Sequence, residues 1–275
     1  MRIATIEHGG STTAVRVDEG RLTPIDGYAD AGELLATGRW EQLAAEASGP
    51  SITASDAVFL PPVLEPGKIL CIGLNYRKHI LEMGRELPEY PSVFAKFPET
   101  LTGAAADVES NPLDSAMDWE GELAFVIGDR AYRVDETAAE SCIAGYTVAN
   151  DISMRSWQNR TPEWLQGKMW ARTTPVGPVL VTRDEFDLSS AVLRTTVNGE
   201  TVQEEELSDL LFSPAQLIAY LSQILPLNPG DLVLTGTPGG VGHARRPQMY
   251  LHEGDTVEVE ITGLGAVRNR ITAPA

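Results

Sequence analysis

A chain of 275 residues with 39 acidic and 21 basic side chains, a formal charge of −18 at pH 7, is long enough to bury a substantial core and an enzyme-sized pocket. That charge argues against nucleic acid or an anionic membrane as partner, because phosphate binding needs clustered Lys and Arg. The opening Met1-Arg-Ile-Ala-Thr-Ile-Glu-His lacks a signal-peptide pattern, no stretch approaches the roughly eighteen apolar residues of a membrane helix, and Cys71 and Cys142 lack CxxC spacing, so a soluble cytoplasmic protein with reduced thiols is expected.

Residues 1–63 read as a small N-terminal α/β module, with strand-like Ile3 to Ile6 and Thr13 to Val17 and an Ala- and Leu-rich helical stretch from Trp40 to Ala47. Leu60-Pro-Pro-Val-Leu-Glu-Pro-Gly67 follows, and its three prolines and glycine fit a connector rather than a helix or central strand. The main, catalytic and metal-binding domain is placed at 64–275. Its apolar runs at Ile69 to Ile72, Leu123 to Ile127, Tyr146 to Ala149, Val179 to Thr182, Leu232 to Thr235 and Val257 to Ile261 have the length and composition of strands. Leu193 to Val202 predicts a hairpin, since Asn198-Gly199 tolerates the positive φ of a type I′ turn. Ser213-Pro-Ala-Gln216 predicts a capped helix whose apolar residues Leu217, Tyr220, Leu221 and Ile224 repeat at helical spacing before Pro226. Strands do not alternate with crossover helices as a Rossmann fold requires, so the expected class is β-rich α+β.

Three segments carry candidate chemistry. In Glu120-Gly-Glu122 the two acids are two residues apart on a strand and share a face, with Leu123, Phe125 and Ile127 on the other; Asp151 ends another apolar strand. Two ionised carboxylates roughly 4 Å apart repel by about 4 kcal/mol at an effective dielectric near 20, a conflict removed by a cation or a shared proton. Oxygen-only ligands suit Mg²⁺, Mn²⁺ or Ca²⁺ rather than zinc. By itself the pattern favours surface carboxylates; the apolar residues next to the acids in both segments place them instead at the rim of a buried sheet.

After the strand at Ile69, Gly73-Leu-Asn75-Tyr-Arg-Lys-His79-Ile-Leu-Glu82-Met-Gly84 predicts a short helix capped by Asn75 and ended by Gly84, with His79 and Glu82 at i and i+3. A carboxylate there can orient the imidazole as a proton acceptor, although a solvated helical pair has the same spacing. Lys168 lies among Trp157, Trp164 and Trp170 and can bind an anion or stabilise an oxyanion. Arg155 and Gln158 follow Asp151 closely enough to be substrate contacts. Gly236-Thr237-Pro-Gly239-Gly240-Val-Gly242 lets backbone amides approach an anion but is neither a Walker loop nor a Rossmann fingerprint.

Taken in order, Ile72-Gly-Leu-Asn-Tyr76 with His79 and Glu82, Val93-Phe-Ala-Lys96, Glu120-Gly-Glu122, Gly145-Tyr-Thr-Val-Ala-Asn-Asp151, Gly167-Lys168, Pro229 to Pro238 and Glu253-Gly-Asp255 resemble the fumarylacetoacetate hydrolase family in its short bacterial, acylpyruvate hydrolase-like form, over roughly Lys68 to the C-terminus. The resemblance implies a mixed β-sandwich roll, usually a homodimer, with Mg²⁺ or Mn²⁺ (Ca²⁺ also) on Glu120, Glu122 and Asp151. It implies a water-activating dyad of His79 and Glu82 on a mobile lid, Lys168 polarising the substrate, Thr237 contacting its carboxylate, and Arg155, Gln158 and Lys96 in substrate binding. Lys78 and Met169-Trp170 depart from the family's usual residues beside the pocket.

The implied activity is hydrolytic C–C cleavage of an acylpyruvate such as fumarylpyruvate in aromatic catabolism, on a small anionic keto-acid. The same site would support oxaloacetate decarboxylation and keto–enol or double-bond isomerisation of 2-hydroxy-diene-dioates. A non-enzymatic anion-binding module is the remaining alternative, against which His79 and Glu82 count.

Overall fold

In the computed structural model, which describes residues 1–82 and 84–274, the strand Gly121–Ile127 is buried along its whole length and sits at the centre of the molecule. A strand apolar on both faces needs a layer on each side, and this one has them. Leu123, Phe125 and Ile127 share a core cluster with Leu193, Val259, Ile261 and Val267 of a second sheet. Ala124 and Val126 share another with Leu34, Leu35 and Trp40 of the helices Ala31–Leu35 and Trp40–Glu46.

The large sheet runs Ile52–Thr53, Arg21–Pro24, Ser11–Asp18, Arg2–His8, Thr174–Thr182, Ile143–Asn150, Gly121–Ile127, Leu232–Leu234, Ile69–Gly73, Ser92–Lys96. Most neighbours are antiparallel, but Leu232–Leu234 pairs parallel with Ile69–Gly73, so the sheet is mixed. The smaller sheet runs Glu200–Glu206, Val192–Val197, Thr256–Ile261, Gly265–Thr272, Val108–Glu109. The two face each other as a β-rich α+β sandwich.

The strands of the first 63 residues join the large sheet. Strand Arg2–His8 pairs with Thr174–Thr182, with Ile3 opposite Leu180, and one sheet crosses the expected boundary. Ile3 and Ile6 are fully buried on opposite faces of that strand, a burial that a small hairpin cannot provide alone.

Local chemistry explains several elements. Asn198 (φ 53°) and Gly199 (φ 84°) both take positive φ between the paired Val197 and Glu200, as a type I′ turn requires. Helix Pro214–Ile224 opens on a full capping box: Gln216 N donates to Ser213 Oγ at 3.3 Å, and Ser213 N to Gln216 Oε1 at 2.9 Å. Its buried stripe is Pro214, Leu217, Ile218 and Leu221, whereas Ile224, expected in the core, is exposed at the helix end.

Asn75 does not cap the short helix Arg77–Glu82. Its side chain instead donates to the carbonyls of Thr235 (2.9 Å) and Phe212 (3.1 Å) and accepts from Phe212 N (2.8 Å), stitching three segments together. Cys71 and Cys142 are buried free thiols. Among the described residues no helix is long and apolar enough to cross a membrane.

Candidate metal centre and its cavity

Antiparallel pairing of Gly121 with Asn150 brings the starts and ends of two central strands together, and Asp151 N donates to Glu120 O at 2.9 Å. Ligand oxygens of Glu120, Glu122 and Asp151 lie within 4.8 Å of one another, all buried. Asn150 Oδ1 accepts from Glu120 N at 3.0 Å and fixes the backbone between them.

Three cations surround the cluster. Lys168 Nζ donates to Glu120 Oε2 (2.5 Å) and Asp151 Oδ2 (2.8 Å), and Lys96 Nζ pairs with the other Asp151 oxygen. Arg155 reaches Glu120 Oε1 (2.7 Å), Asp118 Oδ2 (2.8 Å) and Gln158 Oε1 (2.7 Å), which occupies all three guanidinium nitrogens. Burial works against the Lys168 ammonium, but Asp151 and Glu120 outweigh it and hold its pKa above the ordinary lysine value. Burial likewise works against the Asp151 carboxylate and is overcome by Lys168 and Lys96, which keep its pKa low.

Glu122 differs. No basic side chain pairs with it among the described residues; its one hydrogen bond is from Gly236 N at 2.7 Å. Burial, reinforced by Asp151 and Glu120, pushes its pKa well up. Three oxygen donors converge, no His or Cys joins them, and one carboxylate ionises only at a cost that a nearby positive charge would remove. The residues therefore fit a hard divalent cation.

Glycines make the close approaches possible. Gly236 has φ +95°, and a Cβ there would meet the carbonyl oxygen of Ile72 at 2.7 Å. Gly167 packs against the backbone of Gln158, with 2.7 Å between a built Cβ and Gln158 N, and this sets Lys168 against the cluster. The glycine-rich loop does present amides to anions, but to the protein's own: Gly236 N to Glu122, and Gly242 N (2.7 Å) and His243 N (3.0 Å) to Asp118.

Above the cluster lies a cavity of about 320 Å³, with Glu120, Glu122 and Lys168 on its floor and His79, Thr237 and Gln158 among its walls. Thr237 Oγ1 accepts from Gln203 Nε2 at 2.8 Å, leaving the hydroxyl proton to donate. Arg155 reaches the cavity, but its nitrogens are committed as above.

Lys96, expected as a substrate contact, is fully buried behind Asp151 and absent from the cavity wall. Strand Ser92–Lys96 pairs Lys96 with Ile69 beneath the site, so its ammonium balances the cluster from below.

No hydrogen bond or ion pair joins His79 to Glu82. Helical spacing puts them on one face, but each packs toward Gly239: a Cβ built there would lie 3.3 Å from His79 Nδ1 and 3.4 Å from Glu82 Oε2. Burial lowers the His79 pKa below the ordinary imidazole value, against the opposing pull of Glu82 and Glu120.

Sequence reasoning missed Asp118, Gln203, Arg85 and His243. Asp118 was within reach, since it precedes Glu120 by two on the same alternation. Gln203, which also accepts from Gly121 N at 3.1 Å, comes from the hairpin of the opposite sheet and has no local signal.

Comparison with known proteins agrees with this geometry. The model of the fumarylacetoacetate (FAA) hydrolase C-terminal domain matches residues 68–272. The mitochondrial oxaloacetate tautomerase Fahd2a of Rattus norvegicus is 40% identical over 224 residues, covering 81% of this chain and 72% of the relative. Among solved structures, a fumarylacetoacetate hydrolase from Exiguobacterium antarcticum superposes with a TM-score of 0.90 at 29% identity, covering 100% of both chains. The 5-carboxymethyl-2-hydroxymuconate delta-isomerase of Mycobacterium smegmatis does so with 0.84 at 30% identity, again over 100% of both. With the ordered motifs, the sandwich and the acidic cluster all in agreement over three quarters of its length, the chain belongs to the fumarylacetoacetate hydrolase family.

Proposed function

We propose that the protein is a divalent-metal-dependent isomerase that interconverts the keto and enol forms of a 2-oxo dicarboxylate, oxaloacetate being the example its relative's name supplies. The observation that carries this reading is a half-buried imidazole, lowered in pKa and therefore neutral at pH 7, on the same cavity as the acidic cluster and without a bond to Glu82. Isomerisation needs one group that takes a proton and returns it. Hydrolysis needs, in addition, a water activated for attack, the role expected of the His79–Glu82 pair.

Glu120, Glu122 and Asp151 would hold Mg²⁺ or Mn²⁺, with Ca²⁺ sharing the oxygen preference, and the ion would supply positive charge that acidifies the C3–H beside the 2-oxo group. His79 accepts that C3 proton at a ring nitrogen. The electron pair left at C3 forms the C2–C3 double bond as the carbonyl π pair moves to the 2-oxygen, and the imidazolium returns a proton to that oxygen. One proton leaves carbon, one arrives at oxygen, and nothing else is consumed. Thr237 donates a hydrogen bond from its hydroxyl to the substrate carboxylate, and Gln158, whose carbonyl is engaged by Arg155, has its amide N–H groups left to donate. Lys168 holds Glu120 and Asp151 in position with its charge intact.

The delta-isomerase neighbour supports the same chemistry, since moving a double bond also takes a proton from one carbon and returns it elsewhere. The acylpyruvate hydrolase expected from the sequence keeps one support, the presence of Glu82 beside His79 on a shared wall. The test is to follow enol oxaloacetate, carbon dioxide and pyruvate with Mg²⁺-loaded protein, in parallel with an acylpyruvate. Accelerated loss of enol without carbon dioxide or pyruvate is expected. Acylpyruvate cleavage with no effect on enol decay would reject the isomerase.

A further inference from the structure

Three cationic side chains reach the cavity, and two are already committed: Lys168 to Glu120 and Asp151, Arg155 to Asp118, Glu120 and Gln158. The third is Arg85. Among the described residues no carboxylate lies within ion-pair distance of it, and none of its guanidinium nitrogens is hydrogen-bonded, although the chain carries 39 acidic side chains.

Its placement is built by the backbone. Helix Arg77–Glu82 ends with Gly84 at φ +68°, Gly84 N donating to Leu81 O (2.9 Å) and Arg85 N to Ile80 O (3.2 Å). That reversal is the Schellman ending, which needs the left-handed residue that glycine supplies most cheaply. It turns the chain back so that Arg85 stands on the same cavity as His79, one residue beyond the turn. Continuing the helix instead would have carried position 85 onward along its axis.

From this geometry we infer that Arg85 anchors the second carboxylate of the substrate and makes the site selective for 2-oxo dicarboxylates over 2-oxo monocarboxylates. The inference deepens the isomerase reading and rests on it for the identity of the reacting end. The acidic cluster and Thr237 define one pole of the cavity, where the 2-oxo acid end binds. Arg85 on the wall is the uncommitted positive fork, with donor geometry that matches a carboxylate in two hydrogen bonds. At about 320 Å³ the cavity falls at the small end of ligand pockets, which run roughly 300–1,000 Å³, and suits a short diacid rather than an extended one.

The experiment compares two unreactive ligands by calorimetry on Mg²⁺-loaded protein: malate, and 2-hydroxybutanoate, which replaces the second carboxylate by a methyl group. The unmodified protein is expected to bind malate about ten- to a hundredfold more tightly, the range of one hydrogen-bonded ionic contact. Arg85→Ala should erase that preference while leaving 2-hydroxybutanoate binding unchanged, and Arg85→Lys should keep part of it. With enol oxaloacetate, Arg85→Ala should raise KM far more than it lowers kcat. A malate preference that survives in Arg85→Ala overturns the inference. Absence of any isomerase turnover, with the Arg85-dependent preference intact, would reject the reaction and leave the anchor standing.

Discussion

The floor and the roof of the cavity are built on opposite principles. The floor is a set of buried carboxylates and cations, several of them held by two or more partners: Asp151 has Lys96, Lys168 and the Glu120 backbone, and Arg155 spans Asp118, Glu120 and Gln158, while Glu122 has only the Gly236 amide. The roof is a six-residue helix and its turn, carrying His79, Glu82 and Arg85, with no side-chain bond between His79 and Glu82 among the described residues. A helix that short has little stability of its own and depends on what it packs against. Under the proposed isomerase reading, the floor would supply preorganised charge and the roof proton transfer and selectivity.

The sharpest break of this contrast is Glu122→Gln. It keeps the shape, removes the ligand without a cationic partner, and should abolish saturable Mg²⁺ or Mn²⁺ binding in calorimetry together with turnover. Binding retained at full affinity would take Glu122 out of the ion's ligand set. Next is His79→Ala, expected to lower kcat by about 10²–10⁴ with ion affinity unchanged. A parallel loss of ion binding would mean that floor and roof are not separable.

Lys96→Met tests the floor as structure. It leaves a fully buried carboxylate with one ammonium fewer, a change that typically costs about 3–5 kcal/mol, measurable by denaturant unfolding without metal. Added Mg²⁺ should recover part of the loss. No destabilisation would show that Lys168 alone balances Asp151.

A smaller effect is expected in the pH profile. Because burial lowers the His79 pKa, the acid limb of kcat/KM should fall below the ordinary imidazole value of about 6.5. Glu82 opposes that shift, so Glu82→Gln should move the limb further toward acid; movement toward alkali would contradict the assigned sign. Smallest of all is Lys78→Ala. Its ion pair with Glu205 is solvent-exposed, and the denaturation midpoint should not move.

The floor's acidic cluster was legible because its pattern is local. Glu120 and Glu122 alternate on an apolar strand, and Asp151 closes another; strand geometry then fixes which face they share. The hairpin turn at Asn198-Gly199 and the capping box at Ser213 were legible for the same reason, since each is decided within four residues. The roof was read less well. Spacing put His79 and Glu82 on one face but could not show that each would pack toward Gly239, from a loop some 160 residues later.

What the amino-acid order settled by itself was therefore short-range: the strands, the turn and cap chemistry, the acidic trio and the family blocks. The tertiary structure alone decided that Arg2–His8 completes the large sheet, that Lys96 faces the buried side of Asp151 rather than the cavity, that Asn75 stitches loops instead of capping a helix, and that, among the described residues, Arg85 is the cavity's cation without a carboxylate partner. The physical reason is one of range. A side chain's charge and rotamer preference are written at its own position, but whether that charge is spent depends on groups that the sheet order brings next to it from far along the chain.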